Sequence, residues 1–226
     1  MIETLFVIRH GQTQWNVASR MQGRLDSALT EEGRRQAAVH GRTLAKLGGV
    51  DALIASPLGR TRVTADLLRA HLDVAARYEP ALMERDCGAW SGLTLARIEA
   101  EYPEEWRART LDPYHHRPPQ GESLVDMEAR VEGLLAALLS GAERRLALVT
   151  HGVMSRVILK LLLGLEPAAA VQVRHPNEVL YRLDIIDGRC TGAAHFIAGR
   201  GPQRGLLHHR GDETIGQDHH SEGESA

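Results

Sequence analysis

The chain of 226 residues is poor in cysteine, in lysine and in long apolar runs. Its two cysteines, Cys87 and Cys190, are too few for a disulfide framework, which predicts a protein of a reducing compartment. The apolar stretches are short. Residues 157–163 are interrupted by Lys160, and a bilayer span needs roughly 20 apolar residues. The first residues run straight into a strand-like segment, with no basic stretch followed by a long apolar one, so no secretory leader is expected. A net charge of −2 argues against a general nucleic-acid or membrane-surface binder. These absences predict a cytoplasmic protein, and nothing in the pattern sets an oligomeric state. Lys46 and Lys160 are the only lysines among 27 cations, so an anion site must be built from arginine forks.

What is present suits one α/β domain: 43% hydrophobic residues over this length can form a sizeable core. The organising stretch is residues 4–16, TLFVIRHGQTQWN. Leu5, Phe6, Val7 and Ile8 read as a strand buried on both faces. The run ends in Arg9, His10 and Gly11, followed by Gln12, Thr13 and Asn16, and open α/β sheets place their sites at such strand ends. A polar loop through Arg20, Gln22, Gly23 and Asp26 follows. Thr30 then caps a helix with Glu31 and Glu32 in its first turn. Residues 51–55 (DALIA) predict a second strand, Arg60 opens a helix, and residues 74–78 predict a weaker third strand. The loop 82–92, LMERDCGAWSG, precedes two short helices. Residues 112–121 hold three prolines and read as a lid or binding loop. Ser123 with Asp126 starts a long amphipathic helix. RLALVT (145–150) is a buried strand ending in His151-Gly152, and Asp187-Gly188 marks a hairpin. Residues 199–226 are expected to form a disordered tail after a domain spanning 1–198. The pairs His208-His209 and His219-His220 raise metal binding there, against the plainer reading of a solvated tail.

Two strands thus end in a histidine followed by glycine. As parallel neighbours they bring His10 and His151 to one sheet edge, with Arg60 and Glu84 projecting from adjacent connections. Two imidazoles, two guanidiniums and a carboxylate suit phosphoryl transfer through a covalent intermediate. The guanidiniums hold the phosphoryl oxygens, one imidazole attacks phosphorus, and the carboxylate protonates the departing alkoxide. Other chemistries lack their parts. A cysteine phosphatase loop wants arginine six residues after its thiol, where Leu93 and Phe196 stand. There is no Asp-x-Asp pair and no Gly-Lys of a nucleotide-binding loop. A metal on His10 and His151 would face two arginines and lack a third ligand.

Residues 7–16 match the signature of the histidine phosphatase (phosphoglycerate mutase-like) superfamily, aliphatic-x-Arg-His-Gly-Gln-x-x-x-Asn, at every specified position. SPLGRTRVTA around Arg60, the Glu84 loop with GAWSG, Gly121-Glu122-Ser123 and THG at His151 follow in the family's order, so the chain resembles this family over residues 2–196. The resemblance implies a three-layer α/β/α sandwich with a mostly parallel central sheet. It further implies that His10 is the nucleophile that becomes phosphohistidine. Arg9, Arg60, His151, Asn16, Gln22, Gly23 and Gly152 would form the phosphate pocket, and Glu84 would be the proton donor. No metal and no cofactor are required.

Within the family, mutases carry a longer insert with a lysine and an adjacent arginine pair between the glutamate and the second histidine. Residues 85–150 contain no lysine, and Arg107, Arg109 and Arg117 are not adjacent. The expectation is therefore a phosphomonoester hydrolase acting on a small phosphorylated metabolite. A cofactor-dependent phosphoglycerate mutase is the alternative, and a non-catalytic phosphate-binding protein on the same fold is the third reading. Residues 88–121, with Trp90, Trp106, Tyr114, His115, His116 and Arg117, are expected to cap the site.

Overall fold

The computed structural model describes residues 1–209. Along the chain lie β1 (Thr4–Arg9), α1 (Gln14–Val17), α2 (Glu31–Lys46), β2 (Ala52–Ala55), α3 (Gly59–Arg69), β3 (Ala76–Tyr78), α4 (Leu95–Glu101), α5 (Pro103–Leu111), α6 (Leu124–Leu139), β4 (Arg145–Thr150), α7 (Gly152–Leu163), α8 (Pro167–Val171), β5 (Val173–Arg174), β6 (Val179–Ile186), β7 (Arg189–Ile197), β8 (Arg200–Arg204) and β9 (Leu207–His208).

Seven strands form one sheet in the order β3-β2-β4-β1-β6-β7-β8. The first four run parallel, and β6, β7 and β8 continue the sheet antiparallel. The two-residue alternation of the strands assigns their side chains to two layers. Leu5 and Val7 of β1 join Ile54, Leu146 and Leu148 against Met127 and Val131 of α6 and Val157 and Ile158 of α7. Phe6 and Ile8 point the other way, joining Leu53, Ala147 and Val149 against Ala37 and Leu44 of α2 and Ala65 and Leu68 of α3. Each buried Leu, Val, Ile or Phe contributes about 1.5–3 kcal/mol, so strands apolar on both faces settle only between two helical layers. The result is the three-layer sandwich that the family resemblance implies.

Local signals fix the element ends. Thr30 accepts the Gly33 N–H to begin α2, and Ser123 and Asp126 form a reciprocal capping box on α6. The β6–β7 hairpin turns through Asp187 and Gly188, with φ of 50° and 73°, the geometry of its tight turn type.

The tail begins later than the composition implied. Residues 200–204 form β8, paired with β7, and residues 207–208 form β9, paired with β5. Every residue of β8 is exposed. An edge strand is held by its main-chain ladder rather than by apolar side chains, so it leaves no compositional mark. The remainder of the expected tail, His219-His220 included, lies outside the described residues.

Candidate active site

The parallel ladder of β1 and β4 pairs Arg9 with Thr150. It continues one step further, where the His10 N–H donates to the Thr150 carbonyl at 3.0 Å. His10 and His151 therefore leave the sheet side by side, their rings 5.2 Å apart and inclined at 60°. On the other flank of β4, the Ser56 N–H donates to the Val149 carbonyl at 2.9 Å. This brings the Ser56 hydroxyl within 2.8 Å of His151 Nε2. The connection after β2 leads into α3 and Arg60, and the connection after β3 carries Glu84. Four parallel strands thus deliver their carboxyl-end residues to one crevice, the usual position in such sheets.

His10 is buried, and its Nδ1 lies 2.8 Å from the Gly11 carbonyl. A carbonyl only accepts, so Nδ1 carries the proton and Nε2 holds the free lone pair. Burial, then the guanidiniums of Arg60 and Arg9, hold the His10 pKa well below its ordinary 6.5. His151 is lowered likewise, by burial first and then by Arg60, His10 and Arg9. Both imidazoles are neutral at neutral pH, as a nitrogen nucleophile must be. The Asn177 amide donates to the His10 carbonyl at 2.6 Å, and the Arg9 guanidinium donates to the His175 carbonyl at 2.9 Å.

Arg60 is buried and donates to the Gly23 and Leu25 carbonyls and to Asp26 Oδ1 at 2.7–2.8 Å. Its pKa is lowered chiefly by burial. Asp26 also accepts the N–H groups of Gly59 and Arg60, capping the start of α3. Arg60 Nε and His151 Nδ1 are among the buried side-chain nitrogens with no hydrogen-bond partner among the described residues.

Glu84 sits at the amino end of α7. Its carboxylate accepts the N–H groups of Arg85 at 2.9 Å, Met154 at 3.1 Å and Val153 at 3.2 Å. Arg9, His10, Asn16, Gln22, Gly23, Arg60 and Glu84 all line one cavity of about 150 Å³. His151 and Gly152 are not among its lining residues: His151 is fully buried beside His10, and a Cβ at Gly152 would stand 3.2 Å from Arg9 Cζ. Asn16 contributes from α1, its side-chain oxygen accepting the Thr13 N–H and hydroxyl. Gly11 is constrained by the chain itself. A Cβ there would meet the Gly33 carbonyl oxygen at 2.1 Å, so the constraint is its contact with α2.

Cys87 reaches the same cavity, but burial pushes its thiol up to about 12. It is a protonated packing residue rather than a nucleophile. Among the described residues no group of three or more His, Cys, Asp and Glu could hold a metal ion. No described helix is long and apolar enough to cross a membrane.

Leu95, Arg109 and Pro113, from the stretch 88–121 expected to cap the site, line the cavity, but the aromatic residues of that stretch serve packing. Trp90, Cys87 and Ile98 form a small core of their own with Trp106 and Tyr102, and the Trp90 ring stacks on His116 at 5.3 Å. Tyr114 donates to Glu128, which also pairs with Lys160 at 2.6 Å, fastening the cap to α6 and α7. The cavity wall on this side is instead Leu95, Pro113, Arg109 and Arg85, with Arg156 from α7. These arginines, with Ser56, Asp26 and Asn177, are site neighbours that sequence reasoning missed. Asp26 stood in the polar loop after the first strand and Ser56 opened the SPLGRTRVTA motif, and both were visible there without a role assigned.

A sheet-end pair of neutral imidazoles flanked by guanidiniums and a carboxylate defines a phosphoryl-transfer class of site. The chain belongs to the histidine phosphatase superfamily (branch 1), whose family model matches residues 5–197. It is 38% identical over 182 residues to a protein of Erwinia tasmaniensis named a probable phosphoglycerate mutase, GpmB, covering 80% of this chain and 84% of the relative. The fold matches a mycobacterial glucosyl-3-phosphoglycerate phosphatase with a TM-score of 0.75 and 34% identity, over 83% of this chain and 96% of that one. The α-ribazole phosphatase of Shigella flexneri matches with a TM-score of 0.77 and 26% identity, over 83% and 93% of the two chains.

Proposed function

We propose that the protein is a phosphomonoester hydrolase that works through a phosphohistidine on His10. The observation that carries this reading is the His10 Nδ1 contact with the Gly11 carbonyl, which leaves Nε2 unprotonated beside two guanidiniums. In the first step Nε2 attacks phosphorus, the P–O bond to the leaving group breaks, and Glu84 gives that oxygen its proton. Arg9, Arg60 and His151 stabilise the charge on the three equatorial oxygens. In the second step the Glu84 carboxylate takes a proton from water, whose oxygen attacks phosphorus and releases inorganic phosphate. His10 and protonated Glu84 are restored.

The names of the relatives favour a second reading, phosphoglycerate mutation, in which the phosphohistidine returns its phosphoryl group to a sugar-acid hydroxyl. The absence of lysine from residues 85–150 favours hydrolysis. Incubation with 3-phosphoglycerate, with and without 2,3-bisphosphoglycerate, separates the two: free phosphate is expected, and isomerised ester would favour the mutase. Rapid quench with a ³²P-labelled ester is expected to trap an acid-labile, alkali-stable adduct that His10→Ala abolishes together with turnover. Full activity in His10→Ala would refute the scheme. Phosphate binding without turnover of any phosphomonoester would leave only a binding protein.

A further inference from the structure

Glu84 stands on a segment that no long element carries. Residues 83–87 lie between single turns over 80–82 and 88–90, so neither a helix nor a ladder fixes the backbone beneath the carboxylate. The fastening comes from outside the cavity. Arg130, in the second turn of α6, donates through Nη1 to the Ala81 carbonyl at 2.8 Å and the Met83 carbonyl at 3.1 Å. Its Nε and Nη2 each lie 3.1 Å from the carboxylate of Glu122, the middle residue of the Gly121-Glu122-Ser123 motif. Two parallel bonds of this kind fix geometry as well as charge. Both side chains are only 18% exposed, which spares the pair the screening that weakens surface ion pairs.

The Glu122 carboxylate also accepts the Asp86 N–H at 3.0 Å and Arg24 Nη2 at 2.8 Å. Its main chain adds two bonds. The Glu122 N–H donates to the Asp86 carbonyl at 2.9 Å, and the Glu122 carbonyl accepts Arg85 Nε at 2.6 Å. Arg24 follows Gly23, whose carbonyl holds Arg60. Glu122 therefore joins the segment bearing Glu84 to α6 and to the loop that holds Arg60. Neither Glu122 nor Arg130 is among the residues lining the cavity.

We propose that Glu122 and Arg130 are positioning residues for Glu84, holding its backbone so that the carboxylate faces the oxygen of the leaving group. That this position serves proton transfer rests on the hydrolase reading. The Glu84 carboxylate also accepts the Val153 and Met154 N–H groups, which open α7 and have no acceptor within a helix turn. Their exchange with solvent reports where the carboxylate sits, whether or not anything is hydrolysed.

Two measurements on Glu122→Gln and Arg130→Met test the proposal, with Arg97→Gln, which breaks an exposed ion pair of α4, as control. Amide exchange at Val153 and Met154 is expected to quicken about tenfold in both variants, the scale of a charge-assisted hydrogen bond. Leu159, deeper in α7, should exchange as in wild type. The kcat/KM for glycerol 3-phosphate is expected to fall about tenfold, and that for p-nitrophenyl phosphate by about twofold or less, since nitrophenolate departs without a proton. Adding Glu122→Gln to Glu84→Gln should cost little more, because both changes remove one function. Arg97→Gln should alter neither measurement. Unchanged exchange at Val153 and Met154, exchange quickened as much at Leu159 in both variants, or equal losses on the two esters while Glu84→Gln remains selective overturns the proposal. An unselective Glu84→Gln beside quickened exchange removes the proton-donor reading and leaves the positioning of the carboxylate standing.

Discussion

Glu84 is held by three N–H donors, so the carboxylate points at one place rather than sweeping the cavity. Glu84→Gln keeps the shape of the side chain and removes the group proposed to transfer the proton. A positioned general acid is worth about 10²–10⁴ in rate. The loss in kcat/KM is therefore expected to be of that order for alkyl phosphates, whose leaving groups need the proton, and much smaller for p-nitrophenyl phosphate. Equal losses on both substrates would take the proton-donor role away from Glu84. The residue scale is also where the sequence spoke most plainly. Arg9, His10, Arg60 and His151 sit at strand and helix boundaries, where a run of apolar residues gives way to charge. Arg109 could not be told from Arg107 two positions earlier, because α5 is polar around most of its surface and its phase is set only by docking against Trp106.

At the level of elements, the loop after β1 and the first turn of α2 meet backbone to backbone. A Cβ on Gly33 would lie 2.1 Å from the Gln12 carbonyl oxygen, mirroring the Gly11 contact, and the Gly11 N–H donates to Thr64 Oγ1 at 3.1 Å. Neither contact can be relieved by turning a side chain. Gly33→Ala is expected to cost about 3 kcal/mol, at the upper end for overpacking, read as a lower urea midpoint with unchanged slope. A midpoint within error of wild type would show that α2 can slide away. The Gly11–Gly33 contact was invisible in the sequence, since two glycines 22 positions apart carry no periodic signal. The sandwich itself was legible because LFVI and LALV are apolar at both parities, which only a doubly covered sheet accepts. The cap aromatics misled for a physical reason. A loop rich in Trp and His reads as a ligand surface, yet here it must bury its own rings to stay folded away from the main core.

For the molecule as a whole, proton linkage sets an acid limit. His10, His151 and His40 all have pKa values lowered in the folded state, with burial the leading cause. Below their ordinary 6.5 the unfolded chain takes up protons that the folded chain refuses, so stability falls as pH falls. Each such histidine adds up to about 1.4 kcal/mol of destabilisation per pH unit below that point. Denaturation midpoints measured at pH 7.5, 6.0 and 5.0 should decline steadily. A flat profile would mean that these imidazoles protonate in place.

The strand order carries one more consequence. β1 and β2 are not paired with each other; β4 enters between them and pairs with both. A ribosome that has released the first 144 residues has therefore delivered His10, Arg60 and Glu84 without the central plank that unites them, and the exposed ladder edges must wait for it. His10, Arg60 and Glu84 are expected to come together only once residues 145–151 have entered the gap, so a truncated product ending before them is expected to lack the proposed activity.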